Sequence, residues 1–185
     1  MKVIALDQSS TATGVAVFVN KNLKNYTLIK PKVSKKVTQT VVERESHLTS
    51  IKMTELDYDT TLLRITAIVD EIETILKKEK PDVVYFEEIF VKSGTLPNIR
   101  GFRSLARLQG FISYLCHKLD IRYVIVEESV WIKTFGTFVK DVKRDERKKI
   151  IMKKINDLYG LDIKVDDVSD AISIGTYAVE KENDL

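Results

Sequence analysis

Four carboxylates from three distant segments carry the chemistry this chain can do: Asp7 at the end of the apolar run Val3–Leu6, Glu87 closing Val83–Phe86, and Asp167 with Asp170 in Asp-Val-Ser-Asp-Ala. The last two are three positions apart, so on a helix they project from one face. Brought together by a fold, the four make an oxygen-rich pocket of high negative charge. Hard divalent cations such as magnesium or manganese take carboxylate oxygens, and a pair of them clamps the attacking and leaving oxygens of a phosphodiester.

Each carboxylate also has a plainer reading. Asp7 precedes the small polar stretch Gln8-Ser9-Ser10-Thr11-Ala12-Thr13-Gly14, where an aspartate serves as a turn former. Asp166, Asp167 and Asp170 precede an apolar run with small residues, Ala171 to Ala178, and an aspartate there serves as a helix N-cap. One aspartate is enough for a cap; three within five positions exceed the need. Asp166 shares a face with Asp170 almost as well as Asp167 does, so spacing alone leaves the choice between them open. Glu87 is harder to explain by structure, because a carboxylate that follows a buried strand must be paired, protonated or metal-bound. Glu88 points to the other side of an extended chain.

The elements that must position these groups are legible in the hydrophobic pattern. Residues 2–6, 13–19 and 26–29 read as a three-strand antiparallel meander. Leu62, Ile65, Ile68 or Val69, Ile72 and Ile75 or Leu76 recur at helical spacing, capped by Asp59 or Thr60 and stopped by Pro81. Residues 82–86 form a buried strand. A helix over about 98–119 places Phe102, Leu105, Gln109, Ile112, Leu115 and Leu119 along one side, and Arg122–Val126 is the next strand. The expected fold is α/β: a mixed five-stranded sheet, antiparallel meander plus parallel strands, flanked by helices. Residues 31–57 are polar and lack periodicity, and read as a flexible or hairpin insertion.

A length of 185 residues with 44% hydrophobic content allows one domain with a substantial core, and we read 1–185 as that domain. The single cysteine, Cys116, rules out an internal disulfide framework, and it falls on the apolar side of the second long helix as a core residue. An early charge excludes a signal peptide, and no apolar stretch approaches the ~20 residues of a membrane span, so a soluble cytoplasmic protein is expected. The net charge of +3 is mild, but Lys133, Lys140, Lys143, Arg144, Arg147, Lys148, Lys149 and Lys153 crowd into one stretch, and Lys30, Lys32, Lys35 and Lys36 into another. Charge runs of this kind also serve simply as solvated helix faces. His47 and His117 do not cluster, which argues against histidine-based metal chemistry. No Gly-x-x-x-x-Gly-Lys motif occurs, and no nucleotide cofactor is expected.

Ile4-Ala5-Leu6-Asp7-Gln8-Ser9-Ser10 with Thr13-Gly14, Phe86-Glu87-Glu88-Ile89-Phe90, and Asp167-Val168-Ser169-Asp170-Ala171 resemble, in order along the chain, the signature blocks of the RuvC family of Holliday junction resolvases. The resemblance implies an RNase H-like fold, a homodimer, four-way and other branched DNA as partner, and two Mg2+ or Mn2+ ions per site. It makes Asp7, Glu87, Asp167 and Asp170 the metal-binding tetrad and selects Asp167 over Asp166. It also implies that Phe90 stacks near the junction centre, and that Lys133 and a second basic residue steady phosphate charge. Arg147 stands nearest that second position, with Arg144 and Lys148 as alternatives, and Lys140 and Lys143 extend the DNA-binding set. The long 31–57 connection and the absence of a proline near Val126–Trp131 look more like the diverged resolvases of bacteriophages. Other readings are an RNase H-like nuclease acting on RNA, a non-catalytic junction-binding module, and the phosphate loop of sugar kinases and actin-like ATPases, which needs a far longer chain.

Overall fold

The computed structural model describes residues 1–33, 40–44, 60–90, 99–134 and 143–183. The strands are β1 (Lys2–Asp7), β2 (Thr13–Val19), β3 (Asn22–Val33), β4 (Thr40–Arg44), β5 (Val83–Glu87) and β6 (Arg122–Val126). The helices are α1 (Thr60–Glu79), α2 (Ile99–Lys118), α3 (Glu128–Thr134), α4 (Arg144–Tyr159) and α5 (Asp166–Lys181). Together the strands form one sheet in the order β4-β3-β2-β1-β5-β6.

The mixed α/β architecture read from the sequence is present: β1, β2 and β3 run antiparallel as a meander, while β5 and β6 add in parallel to β1. A sixth strand extends it. β4 folds back on β3 with Val33 opposite Thr40 and Ile29 opposite Arg44, so part of the polar insertion is a hairpin arm. Val41 and Val42, flanked by polar residues, give too short an apolar signal to mark a strand; pairing with β3 makes it one. The rest of the insertion, including Lys35, Lys36 and His47, lies outside the described residues, as do Asp59 and Lys140.

Alternation along the central strands divides the core in two. Val3, Ala5, Val83 and Tyr85 face α5 and α4, in a cluster with Ile151, Ile155, Val168, Ala171 and Ile172. Ile4, Leu6, Val84 and Phe86 face α1 and α2, packed on Ile65, Ile68, Ile72, Leu108 and Ile112. Apolar residues on both faces of β1 and β5 are what a sheet covered on both sides requires.

α2 forms where its spacing predicts, but its buried stripe is rotated: Ser104, Leu108, Ile112, Leu115 and Cys116 face inward, whereas Phe102 is exposed. Ser104 can be buried because its hydroxyl donates to the Arg100 carbonyl (3.0 Å), which supplies the partner a desolvated hydroxyl needs. α4 ends at Gly160, whose left-handed backbone (φ 65°) closes the helix and turns the chain toward α5.

Candidate active site

The same alternation aims the chemistry. Odd-numbered residues of β1 and β5 face α5, so Asp7 and Glu87, each the last residue of its strand, face the α5 side at one end of the sheet. The ladder between the two strands runs as far as Leu6 opposite Phe86. Just beyond it the buried Gln8 side chain takes over, donating through Nε2 to the Glu87 carbonyl (2.5 Å), while the Glu88 N–H donates to the Val126 carbonyl (2.8 Å). The end of β5 is thus tied on both sides. The following turn is held by Thr13, whose hydroxyl donates to the Ser9 carbonyl.

α5 delivers the remaining carboxylates. Its first turn lies on Gly14, which pairs with Asp7 across the β1–β2 ladder; a Cβ at Gly14 would run into the Asp167 carbonyl and come within 3.1 Å of the Ala171 Cβ. Only glycine lets the helix start this close to Asp7. The N-cap of α5 is Val165, so none of the aspartates holds the capping position, and Asp167 and Asp170 need another explanation.

Their electrostatics supply one. Burial pushes the Asp7 carboxyl well above the ordinary range, and the charges of Asp170, Glu87 and Asp167 push it further, with only Lys148 opposing. Burial, then the charges of Glu128 and Asp170, lift Glu87 to about 7 against Arg144 and Lys148. Asp170 rises to about 6, mainly through burial. Asp167 is also raised, by burial and by Asp166, with Lys148 and Lys30 opposing. Asp166 behaves in the opposite way: a hydrogen bond from Lys148 (2.6 Å) holds its carboxyl below the usual range.

Of the three basic residues left open by the sequence, Lys148 is the one that enters the cluster. α4 crosses α5 so that the Lys148 ammonium lies 2.6 Å from Asp166 and 3.4 Å from Asp170. Burial works against its charge, but the hydrogen bond to Asp166 and the charges of Asp170, Asp166 and Asp7 outweigh it and raise its pKa. Arg144, on the exposed first turn of α4 beside Lys143, acts on Glu87, whereas Arg147 is half-buried one residue before Lys148. Lys133 is exposed near the end of α3, beside the buried Trp131 and Ile132; charges that oppose the raised carboxylates include those of Lys148, Arg144 and Lys30. Phe90 is 76% exposed and so is not a core residue.

Three participants have no role in the motifs as read from the sequence. Gln8 stands in the first block only as the neighbour of Asp7, in a stretch whose composition marks a turn. Lys30 follows directly on Ile29, which pairs with Thr13 in β2, and this meander register is the signal that could have placed it near the cluster. Glu128 opens α3 just after β6 and presses on Glu87.

A set of buried carboxylates raising one another is the donor chemistry of a hard-cation site, since a divalent ion relieves the repulsion that otherwise demands protons. Among the described residues no three such side chains are drawn into a ready-made ligand set. The Lys148 ammonium is the countercharge on Asp170 in this arrangement.

No protein-family model matches the sequence, and no curated protein matches it. Solved structures match over nearly the whole chain. RuvC of T. thermophilus, in complex with a Holliday junction substrate, superposes with a TM-score of 0.65 at 15% identity, covering 99% of this chain and 96% of that one. The fowlpox virus resolvase with its Holliday junction DNA gives a TM-score of 0.50 at 14% identity, over 98% and 99% of the two chains. The yeast mitochondrial Holliday junction resolvase gives 0.50 at 13% identity, over 98% of this chain and 78% of that one. The fold is the one shared by RuvC and these other Holliday junction resolvases.

Proposed function

We propose that a chain with this fold and this acidic cluster is a divalent-metal-dependent endonuclease that resolves four-way and other branched DNA junctions by paired phosphodiester hydrolysis. The observation that carries the reading is the meeting of Asp7, Glu87 and Asp170 with Asp167 at one end of the sheet, where burial and neighbouring carboxylates raise all four. Asp7, Glu87, Asp167 and Asp170 would hold two Mg2+ or Mn2+ ions. When bound, the ions supply an activated water and charge stabilisation for the departing 3′ oxygen.

The remaining work belongs to the chain's own side chains. Lys148 engages Asp166 and leaves Asp167 as the better available ligand. With a cation held by Asp170, the Lys148 ammonium would still pair with Asp166 and could also meet a phosphate oxygen. Gln8 fixes the separation of the β1 and β5 ends and so of Asp7 and Glu87. Exposed Phe90 offers a ring for an unstacked base. Lys133, Lys143, Arg144 and Arg147 serve as phosphate contacts, which position DNA without reading its sequence. Paired nicks in symmetry-related strands require two sites, so the working form is a homodimer.

The test is incubation of the protein and its Asp7→Asn variant with a labelled four-way junction, a matching duplex, a fork and an RNA–DNA hybrid, each with Mg2+, Mn2+ or chelator. Paired, ligatable, metal-dependent nicks in the junction, lost in the variant while binding persists, are expected. Cutting of RNA alone moves the assignment to an RNA-directed nuclease, and binding without cutting under any metal leaves a junction-binding module.

A further inference from the structure

The strand β3 changes character at the end of the sheet that carries the acidic cluster. On its α5 side Leu23, Tyr26 and Leu28 pack against the core, and the next residue in that series is Lys30, which is exposed. The ladder fixes the side: Leu28 pairs with Gly14, Gly14 pairs with Asp7, and alternation puts Lys30 on the same face as Asp7. From Gly14, Lys30 stands one strand over, ~5 Å, and two residues, ~7 Å, farther toward the end where Asp7 and Glu87 lie. The first turn of α5 rests on Gly14, so Lys30 comes up beside that turn from the β3 flank.

Exposure by itself is what a solvated strand end gives, and Glu43, opposite Lys30 in the β3–β4 ladder, offers a cross-strand partner. What sets Lys30 apart from an ordinary surface lysine is the charge it faces. The two aspartates that open α5 are met by lysines of different elements: Lys148 of α4 holds Asp166 at 2.6 Å, and the charge of Lys30 acts on Asp167. Arg144, also of α4, acts on Glu87 at the end of β5. In the strand order β3-β2-β1-β5 the carboxylates of β1 and β5 therefore have Lys30 on one flank and the α4 cations on the other.

Charge and space both leave room for a phosphate there. Two divalent ions would balance the four carboxylates, and Lys148 answers Asp166, so the Lys30 charge remains for an anion. The β1–β2 turn between Asp7 and Lys30 is made of Ser9, Ser10, Thr11 and Ala12, small side chains over which an extended strand can pass. A lysine ammonium is a compact charge on a flexible stem, which suits a backbone phosphate held without a fixed orientation.

We propose that Lys30 binds a backbone phosphate of the DNA strand lying in the active site, on the flank opposite Lys148, so that the strand crosses the sheet end between α4 and β3; this rests on the nuclease reading above.

The experiment uses the full chain with Lys30→Gln, Lys30→Arg and, as a control on the same strand, Lys24→Gln, at an exposed lysine toward the opposite end of β3. Binding to a four-way junction is measured over a salt series in chelator, with thermal unfolding of each protein. Loss of one phosphate contact lowers the slope of log K against log salt by about 1, so Lys30→Gln should show that drop, with affinity down roughly 5-fold near physiological salt. Lys30→Arg and Lys24→Gln should keep the parent slope. An unchanged slope in folded Lys30→Gln overturns the proposal, as does an equal drop in Lys24→Gln, which would make the effect one of overall charge. A lower melting temperature with the slope intact, matched by Glu43→Gln, overturns it in favour of a brace across the β3–β4 hairpin. Where the parent chain cuts, junctions with a single uncharged methylphosphonate at each phosphate flanking the cut locate the contact. At one of these positions the parent and Lys30→Gln should bind alike; a difference that persists at all of them puts the contact elsewhere and overturns the proposal. If the parent chain cuts no branched DNA yet Lys30→Gln still loses slope, the phosphate contact stands and the nuclease reading falls.

Discussion

Residues 166–170 and 171–179 belong to one helix, α5, yet they stand in opposite relations to the fold. From Ala171 onward the helix is buried nearly all round, with Ala171, Ile172, Ile174, Ala178 and Val179 against the sheet and α4, and with Ser173 and Thr176 satisfied by carbonyls one turn back. Its opening residues instead hold Asp167 and Asp170 beside Asp7 and Glu87, where burial and repulsion favour protons over charge. The body of α5 contributes stability and its opening residues cost it. This chain concentrates electrostatic strain where positive charge would relieve it, and anchors that strain to a rigid, well-packed element.

The largest effect should come from Asp7→Asn, which separates the two regions. Removing the most perturbed carboxylate should lower junction cleavage by about 100-fold to 1000-fold, on the scale of losing one electrostatic partner of a transition state. The metal-free protein should meanwhile melt higher, by a few degrees if the relief is about 1 kcal/mol. Single-turnover cleavage and chelator-treated thermal melts check both. A lower melting temperature would mean that Asp7 supports the fold and would erase the contrast.

Two glycines sharpen it further. A Cβ at Gly175 collides with the Phe18 ring, and overpacking of this kind costs about 1–3 kcal/mol. Gly175→Ala should therefore melt lower while keeping its cleavage rate at a permissive temperature. Gly14→Ala should lose both, because its Cβ meets the Asp167 carbonyl itself and any relaxation moves the first turn of α5 away from Asp7. Thermal melts and cleavage rates on both variants decide whether the two halves of α5 are separable.

Much of this was legible in the sequence, and for definite reasons. Unbroken apolar runs announced β1, β2 and β5, and a carboxylate directly after two of them marked the site. The face buried by α2 was not legible, because a serine that feeds its own helix backbone is as buriable as a leucine, while Phe102 stays out. Nor was the choice among Arg144, Arg147 and Lys148. It depends on the register with which α4 crosses α5, which is set by Ile151 and Ile155 in the core and by Tyr159 meeting Thr176 at 2.8 Å. β4 was hidden in a polar segment whose strand character comes from its partner.

A smaller effect is expected from pH. The folded Glu87 and Asp170 carboxyls titrate near 7 and 6, above the ordinary values of 4.5 and 3.8 that hold in the unfolded chain. Below pH ~4 both states are protonated at these groups and their contribution is fully present. As pH rises toward 7 the unfolded chain releases its protons first, so stability is lost across that window. Denaturant melts in chelator at pH 4.5, 6 and 7.5 should show the fall; Glu87→Gln should remove the upper part of it, and saturating Mg2+ or Mn2+ should flatten it.

The smallest effect is predicted where a cation has no part in the strain. Lys148 and Lys153 share α4, and each lies within 2.6 Å of an aspartate. The Lys153–Asp157 pair is 76% and 64% exposed and stays within one helix, so water and salt screen it. Lys153→Ala should shift stability by less than about 0.5 kcal/mol and leave cleavage unchanged. Lys148 is half-buried and contacts two carboxylates on another helix, one of them in the raised cluster, so its loss leaves Asp170 with less compensation. Lys148→Met should therefore lower metal-free stability and slow cleavage where Lys153→Ala does neither. Equal effects from the two lysines would show that proximity to the cluster confers no special role on Lys148.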